Sequence, residues 1–371
     1  MEQNWLKNII EKVKIVFDFK KINSPSLKLE NKATEVVNQI GQVNINQGLT
    51  HAEAIDLVGS VIDQRLDIFK DEAKLKYIQR TNEFKNSLTE KLNSLSEDER
   101  SKLREPDVQL ALVEAAKISG RKRGEELRDL LANLVINRIE NDSSGEEDLK
   151  NIVYNEAILT INKITLDQLK IITLCYLLRH TNHGGVVSWN TFRTYLNNNI
   201  KPFLSFKNTV AEFQHIEYAG CGSIGIGSWD FIKSFQQEYS FLFFNLVDKQ
   251  KIDDLNIAEE VKKEIVAVDV KEDKYSIKYR NKTELENFLK GKDIDKKIIG
   301  KIISIYEASI KNEEEIREKI MKETDIGVSL LNIWDKSDLK HLSLTSVGIA
   351  IGASYFEQIV GERVDIGIWI N

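Results

Sequence analysis

The chain contains one G-x-G-x-x-G pattern, formed by Gly220, Gly222 and Gly225. In nucleotide-binding proteins such glycines allow the backbone to approach a pyrophosphate at the N-terminus of a helix. That chemistry requires a strand before the glycines and a helix after them. We predict a strand at 215–219 and a helix at 229–239, so a nucleotide-binding enzyme that uses the Gly220–Gly227 loop is one interpretation.

Three features count against a nucleotide site. His215 and Glu217 interrupt a strand that should be almost entirely apolar in a parallel sheet. A following strand at 241–248 supplies Asp248 as the acid for a ribose, but it comes about 28 residues after Gly220, where ~20 is usual. In addition, β-α alternation is not maintained downstream. A glycine-rich turn or wing fits the pattern better.

Two histidines and two cysteines lie near the same region: Cys175, His180, His183 and Cys221. Thiolate and imidazole ligands suit zinc, but the spacing matches no zinc motif. His180 to His183 precedes Gly184 and is typical of a helix C-terminus. No acid stands out to orient a histidine that would activate a cysteine nucleophile, whether His180 or His215. We therefore predict no catalytic residue, no metal and no cofactor.

The strongest basic cluster consists of Arg121, Lys122 and Arg123. Lysine and arginine side chains at this density can contact a nucleic-acid phosphate backbone. The cluster is predicted to lie in a loop between two helices, without aromatic residues that would stack on bases. A solvated loop is the simpler interpretation, and a nucleic-acid interface is the alternative.

Composition limits the class of protein. The chain has 371 residues, of which 42% are apolar and 30% charged, with a net charge of −6. This length allows two or three domains. Two cysteines provide no disulfide framework, which favours a reducing compartment. No apolar run reaches the ~20 residues of a membrane span, and charges interrupt the N-terminus, so we expect a cytoplasmic protein.

The N-terminal part is predicted to be helical and amphipathic. The segment Trp5–Phe19 places apolar residues on one face and mixed charges on the other. It could lie on a membrane, but docking on protein fits its mixed charge better. A short strand is predicted at 43–45, before a capping box formed by Thr50 and Glu53.

A single helix of roughly 40 residues is predicted to follow that capping box. Its apolar positions recur about every 3.6 residues, which would give a length of about 60 Å. A helix of that length exceeds one small domain, so we predict that it packs across a subunit interface. The candidate interface residues are Ile55, Val58, Ile62, Leu66 and Phe69.

Further helices are predicted at 107–119, 124–140, 149–162 and around 169–178. Residues 257–323 are charged and largely helical, and the end of the chain is predicted as a helix at 328–334, a strand at 339–344, a helix at 346–359 and a strand at 364–370. The fold class is therefore mainly α, with long amphipathic helices first and winged-helix-like elements with short antiparallel strands towards the C-terminus.

A polar linker at 141–145 suggests the domain boundary. We predict an amphipathic helix at 1–22, an elongated helical oligomerisation domain at 31–140, and a winged-helix-like α+β domain at 146–371. The last of these carries a charged helical insert at about 250–323.

Two groups of motifs resemble a known family. The first includes Pro106–Gln109, Leu130–Leu134 (LLANL) and Lys163–Leu169; the second runs from Leu344–Gly352 to Asp365–Ile370. Together they resemble a bacterial family of uncharacterised proteins related in style to the Abi-alpha (abortive infection) proteins. Those pair an LLANL-type helix with a winged-helix-like region that ends in an L-T-x-x-G turn. The resemblance covers roughly 43–180 and 325–371, leaves the insert unmatched, and carries over no catalytic residues.

What the resemblance implies is a role near phage defence. Our first hypothesis is a non-enzymatic interaction protein, a sensor or effector in an abortive-infection response that acts as a homo-oligomer. A phage or host protein would be its trigger. The alternatives are a winged-helix nucleic-acid binder and the nucleotide-binding enzyme described above.

Overall fold

The computed structural model describes residues 50–66, 71–141, 148–279 and 281–370. This part of the chain is mainly helical with two short antiparallel strand pairs, which confirms the predicted fold class. The contacts divide the chain into one unit of residues 1–166 and 346–371, and a second unit of residues 167–345. The predicted segments Trp5–Phe19 and 43–45 and the linker at 142–145 lie outside the described residues.

The first unit is a bundle of helices. They are α1 (His51–Leu66), α2 (Asp71–Asn93), α3 (Glu97–Ser101), α4 (Pro106–Ser119), α5 (Glu125–Glu140), α6 (Leu149–Thr160), α17 (Ser346–Val360) and α18 (Gly367–Ile370). Local signals in the sequence explain several starts. Thr50 and Glu53 exchange hydrogen bonds as a capping box, Ser96 and Glu99 do the same, and Pro106 is the first residue of α4.

Helix α5 occupies the centre of this bundle. It contacts α2, α4, α6 and α17, and every residue from Leu127 to Ile139 except Asp129 is buried. Helix α17 packs on both α5 and α6, although almost 200 residues separate it from them in sequence. This long-range packing brings the C-terminal segment into the first unit. The predicted division at residues 140–146 falls inside that unit.

Polar side chains within α5 pair with the surrounding helices. Buried Arg138 contacts Asp107 of α4 at 2.5 Å, and buried Arg128 pairs with Glu83 of α2. The Asn137 amide donates to Ser354 Oγ of α17 at 3.0 Å. Since a buried polar group is costly unless it is hydrogen-bonded, these contacts favour one arrangement of the helices.

Two sequence predictions for the first unit are wrong. The predicted helix of roughly 40 residues is divided into α1 and α2, and the two helices pack on each other, which a single straight helix cannot do. The predicted strand at 364–370 instead contains the helical turn α18. The apolar residues at its end suited a strand locally, but α18 packs against α6.

The second unit contains more numerous and shorter elements. Its helices are α7 (Leu166–His180), α8 (Trp189–Tyr195), α9 (Val210–Tyr218), α10 (Phe231–Glu238), α11 (Lys249–Asp253), α12 (Glu259–Ile265), α13 (Lys282–Lys290), α14 (Lys296–Ser309), α15 (Glu313–Glu323) and α16 (Gly327–Lys336). The strands are β1 (Gly222–Ile224), β2 (Val266–Asp269), β3 (Lys274–Ile277) and β4 (Leu342–Leu344).

The two strand pairs have different connections. Strand β1 pairs with β4 in the register Gly222↔Leu344, so it joins distant parts of the chain. Strands β2 and β3 form a hairpin inside the charged segment that we predicted to be helical. This segment has a core of its own, in which buried residues such as Ile265, Leu285 and Tyr306 pack together.

Candidate interaction surface

The glycine motif lies in the reverse of the arrangement that a nucleotide site needs. Residues 215–218 belong to helix α9, so the strand predicted there is wrong. Gly220 has φ +83° and follows the end of that helix, where the Cys221 N–H bonds to Ile216 O. This left-handed conformation favours glycine at a helix C-terminus. The chain then enters β1, so the order is helix, glycine, strand.

The other glycines serve packing and turning. A Cβ on Gly222 would lie 2.8 Å from the Ser343 carbonyl oxygen, so glycine permits the close approach of β1 and β4. Gly225 donates its N–H to His341 O at 3.0 Å. The predicted strand at 241–248 is also wrong, because Ser240–Leu242 is a 3-10 turn and only isolated bridges at Phe244 and Val247 follow. The geometry gives the motif a structural role.

The histidines and cysteines do not converge. Cys175 is buried and its Sγ lies 3.4 Å from Leu342 O, and burial raises the pKa of its thiol to about 12. Burial, with a contribution from Arg179, lowers the pKa of His180 to about 4. The His183 ring stacks on Tyr195 with 5.1 Å between centroids. Across the described ranges, no group of three His, Cys, Asp or Glu side chains is placed to hold a metal ion.

The basic cluster does not act as three exposed cations. Arg121 and Arg123 are exposed, but the Lys122 ammonium donates to Ile164 O at 2.9 Å and its pKa is lowered by burial. Arg128 nearby donates to the carbonyl oxygens of Lys122 and Arg123, so it holds the loop in place. Lys122 and Arg128 therefore serve the fold of the first unit, while Arg121 and Arg123 remain exposed.

The predicted oligomer interface on α1 is largely internal. Val58 has no exposed surface and Ile62 only 6%, since α1 packs on α2 and α4. Ile55 is partly exposed. Phe69 and the side chain of Leu66 lie outside what the structure describes. Val58 and Ile62 are core residues, because α1 packs against α2 and α4.

A different helix presents apolar residues to solvent. Helix α6 begins at the cap Asp148, whose carboxylate accepts the Lys150 N–H at 2.7 Å. One face, which includes Val153, Ala157 and Ile158, is buried, and α6 packs against α4, α5 and α17. The exposed face carries Leu149, Ile152, Glu156 and Leu159. We call these four residues the α6 stripe.

The α6 stripe is unusual in composition. Leu149 is 53% exposed, Ile152 47% and Leu159 41%, on a helix of twelve residues. Isolated exposed apolar residues are common, but an aligned row on one face marks a surface that contacts something else. The spacing of three, four and three residues is that of the a and d positions of a heptad.

Two elements that pack on α6 also expose one apolar residue each. Leu110 on α4 is 54% exposed, and α4 packs on α6. Ile368 on α18 is also exposed, and α18 packs on α6 as well. The Asn155 amide donates to both carboxylate oxygens of Asp107, at 2.8 and 3.0 Å, which ties α6 to α4 one turn from Leu110. The stripe therefore rests on a rigid support.

Sequence patterns could not find this surface. They predicted the helix at 149–162, but apolar residues occur on every side of it. Only the packing of α5 and α17 decides which side is covered. The signal in the sequence was the heptad spacing of the α6 stripe. Four residues are too few for that spacing to be recognised unless their exposure to solvent is known.

Comparisons with known proteins identify the family. A model of a family of uncharacterised proteins matches residues 48–370, so the chain belongs to that family. The match spans both units and all of the described residues. No curated protein and no solved structure matches the chain. Within the described residues, no helix combines the length and hydropathy of a transmembrane span.

Proposed function

We propose that this protein is a non-enzymatic interaction protein that assembles with a second copy of itself through the α6 stripe. The observation that supports this is the exposed row of Leu149, Ile152 and Leu159 on a helix whose opposite face is fully packed. Burial of this row would remove apolar surface from water at about 25 cal/mol per Å².

The spacing of the stripe favours an antiparallel pair of helices. In that orientation Leu149 of one copy meets Leu159 of the other, and Ile152 meets Glu156. A parallel pair would place the two Glu156 carboxylates opposite each other, and like charges in a seam repel. The polar residue at one a position thus selects the orientation, as such residues do in coiled coils.

The self-complementary order of the stripe is why we infer a second copy as the occupant. An isologous two-fold contact needs a surface that matches itself, and the α6 stripe does so with Leu149 and Leu159 at its ends. A helix of twelve residues alone is small against the ~1,200–2,000 Å² that specific interfaces bury. Leu110 of α4 and Ile368 of α18 are exposed apolar residues on helices that pack against α6, and a larger contact would include them.

The resemblance to Abi-alpha proteins supports a place for this assembly in phage defence in the cytoplasm, as a sensor or effector with a phage or host protein as trigger. Deletion of the gene should raise the plaque count of a phage against which the protein acts. Unchanged plaque counts across a broad phage panel would contradict the defence role and leave the assembly to be judged separately. The winged-helix interpretation of 146–371 stays a prediction.

The assembly is tested by the molar mass of the intact protein from light scattering across a concentration series. We expect dimer mass for the wild type and monomer mass for Ile152→Glu, because each new carboxylate would face Glu156 of the other copy and like charges in a seam repel. Ile226→Glu is the matched control, since Ile226 is fully exposed in the second unit. It should retain the wild-type mass.

A monomeric wild type at all concentrations would overturn the proposal. So would a dimer that Ile152→Glu leaves intact. If the protein is monomeric and Ile152→Glu increases hydrogen exchange within residues 5–19, the N-terminal segment covers the stripe instead, and the second-copy proposal fails.

A further inference from the structure

A lysine-lined groove in the second unit lies outside the α6 stripe and plays no part in the proposed self-assembly. It lies along α14, beside the end of α11, and has a volume of about 540 Å³. Its lining consists of Lys251, Asp254, Leu255, Lys297, Gly300, Lys301, Ser304 and Ile305. Three cations therefore surround a floor formed by Leu255, Gly300 and Ile305.

The three groove lysines lack the ion pairs that several neighbouring lysines make. Lys249 contacts Asp273, Lys262 contacts Asp253 at 3.0 Å, and Lys282 contacts Glu307 at 2.7 Å. Among the described residues, Lys251, Lys297 and Lys301 have no carboxylate within ion-pair distance, and all three are exposed. Their charge is thus available to an external anion. The like charges of Lys297 and Lys301 at i and i+4 also cost helix stability.

Gly300 is a second unusual feature of the groove. It lies in the interior of α14, where glycine costs about 1 kcal/mol relative to alanine. A Cβ at this position would meet nothing within 4 Å, so the helix packing does not require glycine. What glycine offers here is a bare stretch of backbone between Lys297 and Lys301, which lets a ligand approach closely.

The balance of charge and apolar area selects the class of ligand. Leu255 is only 8% exposed and Ile305 is partly buried, so the floor is too small to anchor an amphipathic peptide helix. Three lysines along one open groove suit a flexible chain that carries repeated anions. Lys297 and Lys301 lie one turn apart, with about 5–6 Å between their Cβ atoms. Lysine binds phosphates as a point charge and needs no fixed geometry.

We propose that this groove binds the phosphate backbone of single-stranded nucleic acid through Lys251, Lys297 and Lys301. Backbone contacts of this kind carry no sequence information, so binding is sequence-tolerant. Asp254 is the one carboxylate in the lining, and it weakens the attraction. The site is distinct from the predicted cluster at Arg121–Arg123, in which Lys122 is already engaged.

The experiment measures binding of the full-length protein to a fluorescent 20-nucleotide oligo(dT) from low to moderate salt. Three phosphate contacts predict a slope of log K against log[salt] of about −2, from about 0.7 per contact for a single strand. Lys297→Ala and Lys301→Ala should each reduce the slope by about 0.7 and weaken binding at low salt at least about fivefold. Lys271→Ala removes an exposed lysine outside the groove and should change neither quantity.

A gain of affinity provides a second readout that misfolding cannot mimic. Asp254→Asn should tighten oligo(dT) binding about two- to fivefold, because it removes a negative charge beside the phosphates. Asp293→Asn, an exposed acid outside the lining, should leave binding unchanged.

Four outcomes would overturn the inference. The first is no oligo(dT) binding at low salt, and the second is binding that the groove variants do not weaken. The third is preference for poly-glutamate over oligo(dT), which would indicate an acidic peptide. Full competition by an equimolar mononucleotide would contradict binding of a chain and indicate a single phosphate group as the ligand.

Discussion

Helices α1 and α6 carry similar apolar patterns but differ in what covers them. On α1, Val58 and Ile62 repeat at helical spacing and are buried beneath the chain's own helices. On α6, Leu149, Ile152 and Leu159 repeat at helical spacing and face solvent. Apolar periodicity therefore indicates a face that contacts another surface. It does not show whether that surface belongs to the same chain or to a partner. In the first unit the neighbouring helices cover the Val58 and Ile62 face of α1 and leave the α6 stripe exposed.

The largest expected effect is a loss of folding stability when the buried face of α1 is changed. Val58→Asp places a carboxylate in the core and should lower the free energy of unfolding by about 4 kcal/mol or more in urea denaturation. Val187→Asp, at an exposed valine, should change it by less than about 0.5 kcal/mol. If Val58→Asp does not fold, Val58→Ala should cost about 2 kcal/mol. A monomeric, equally stable Val58→Ala would make α1 the interface and reverse the comparison.

The next effect concerns the support of the stripe. Asp107→Ala leaves buried Arg138 without its carboxylate and Asn155 without its acceptor. We expect a loss of about 3 kcal/mol of stability in urea denaturation, with weaker self-association. Glu114→Ala on the same helix removes only the pair with Lys117 and should cost about 0–1 kcal/mol. Equal losses for the two variants would contradict the role assigned to Asp107.

A smaller effect should strengthen the stripe and leave the fold unchanged. Glu156→Leu completes the apolar row, so the two copies should bind each other more tightly. The dissociation constant of the dimer, measured by sedimentation, should fall at least about tenfold. The antiparallel preference should be lost as well, because the charge that disfavours the parallel pair is gone. Glu260→Leu, at an exposed acid in the second unit, is the control. An unchanged dissociation constant for Glu156→Leu would place the interface elsewhere.

Local signals in the sequence predicted much of the helical architecture. The capping box at Thr50 acts within one turn, so it predicted a helix start that the structure confirms. The helix at 346–359 was also predicted, because its apolar pattern is continuous along the segment. Tertiary contacts explain the remainder, because they act between residues that are distant in sequence.

The glycine motif shows why the candidate sites were harder to predict. The G-x-G-x-x-G spacing is identical whether Gly220 follows a strand or ends a helix. His215 and Glu217 signalled a helix by their polarity, but a short segment fits either period. The α6 stripe and the groove lysines depend on exposure and missing partners. Those properties are set by the packing of the whole unit, so no local pattern reveals them.

The antiparallel second-copy contact is tested most directly by disulfide cross-linking of two single-cysteine substitutions, Leu149→Cys and Leu159→Cys. The native Cys175 and Cys221 are buried and should not compete. In the proposed pair, position 149 of one copy lies opposite position 159 of the other. Equal positions are separated by about 15 Å along the helix, well beyond the ~7 Å limit for a disulfide.

We predict that a mixture of the two variants forms a cross-linked heterodimer on a non-reducing gel and that neither variant alone does so. Cross-linking of each variant with itself would indicate a parallel pair. No cross-link in any combination, under conditions where the wild type shows dimer mass, would contradict the central claim that α6 forms the contact between copies.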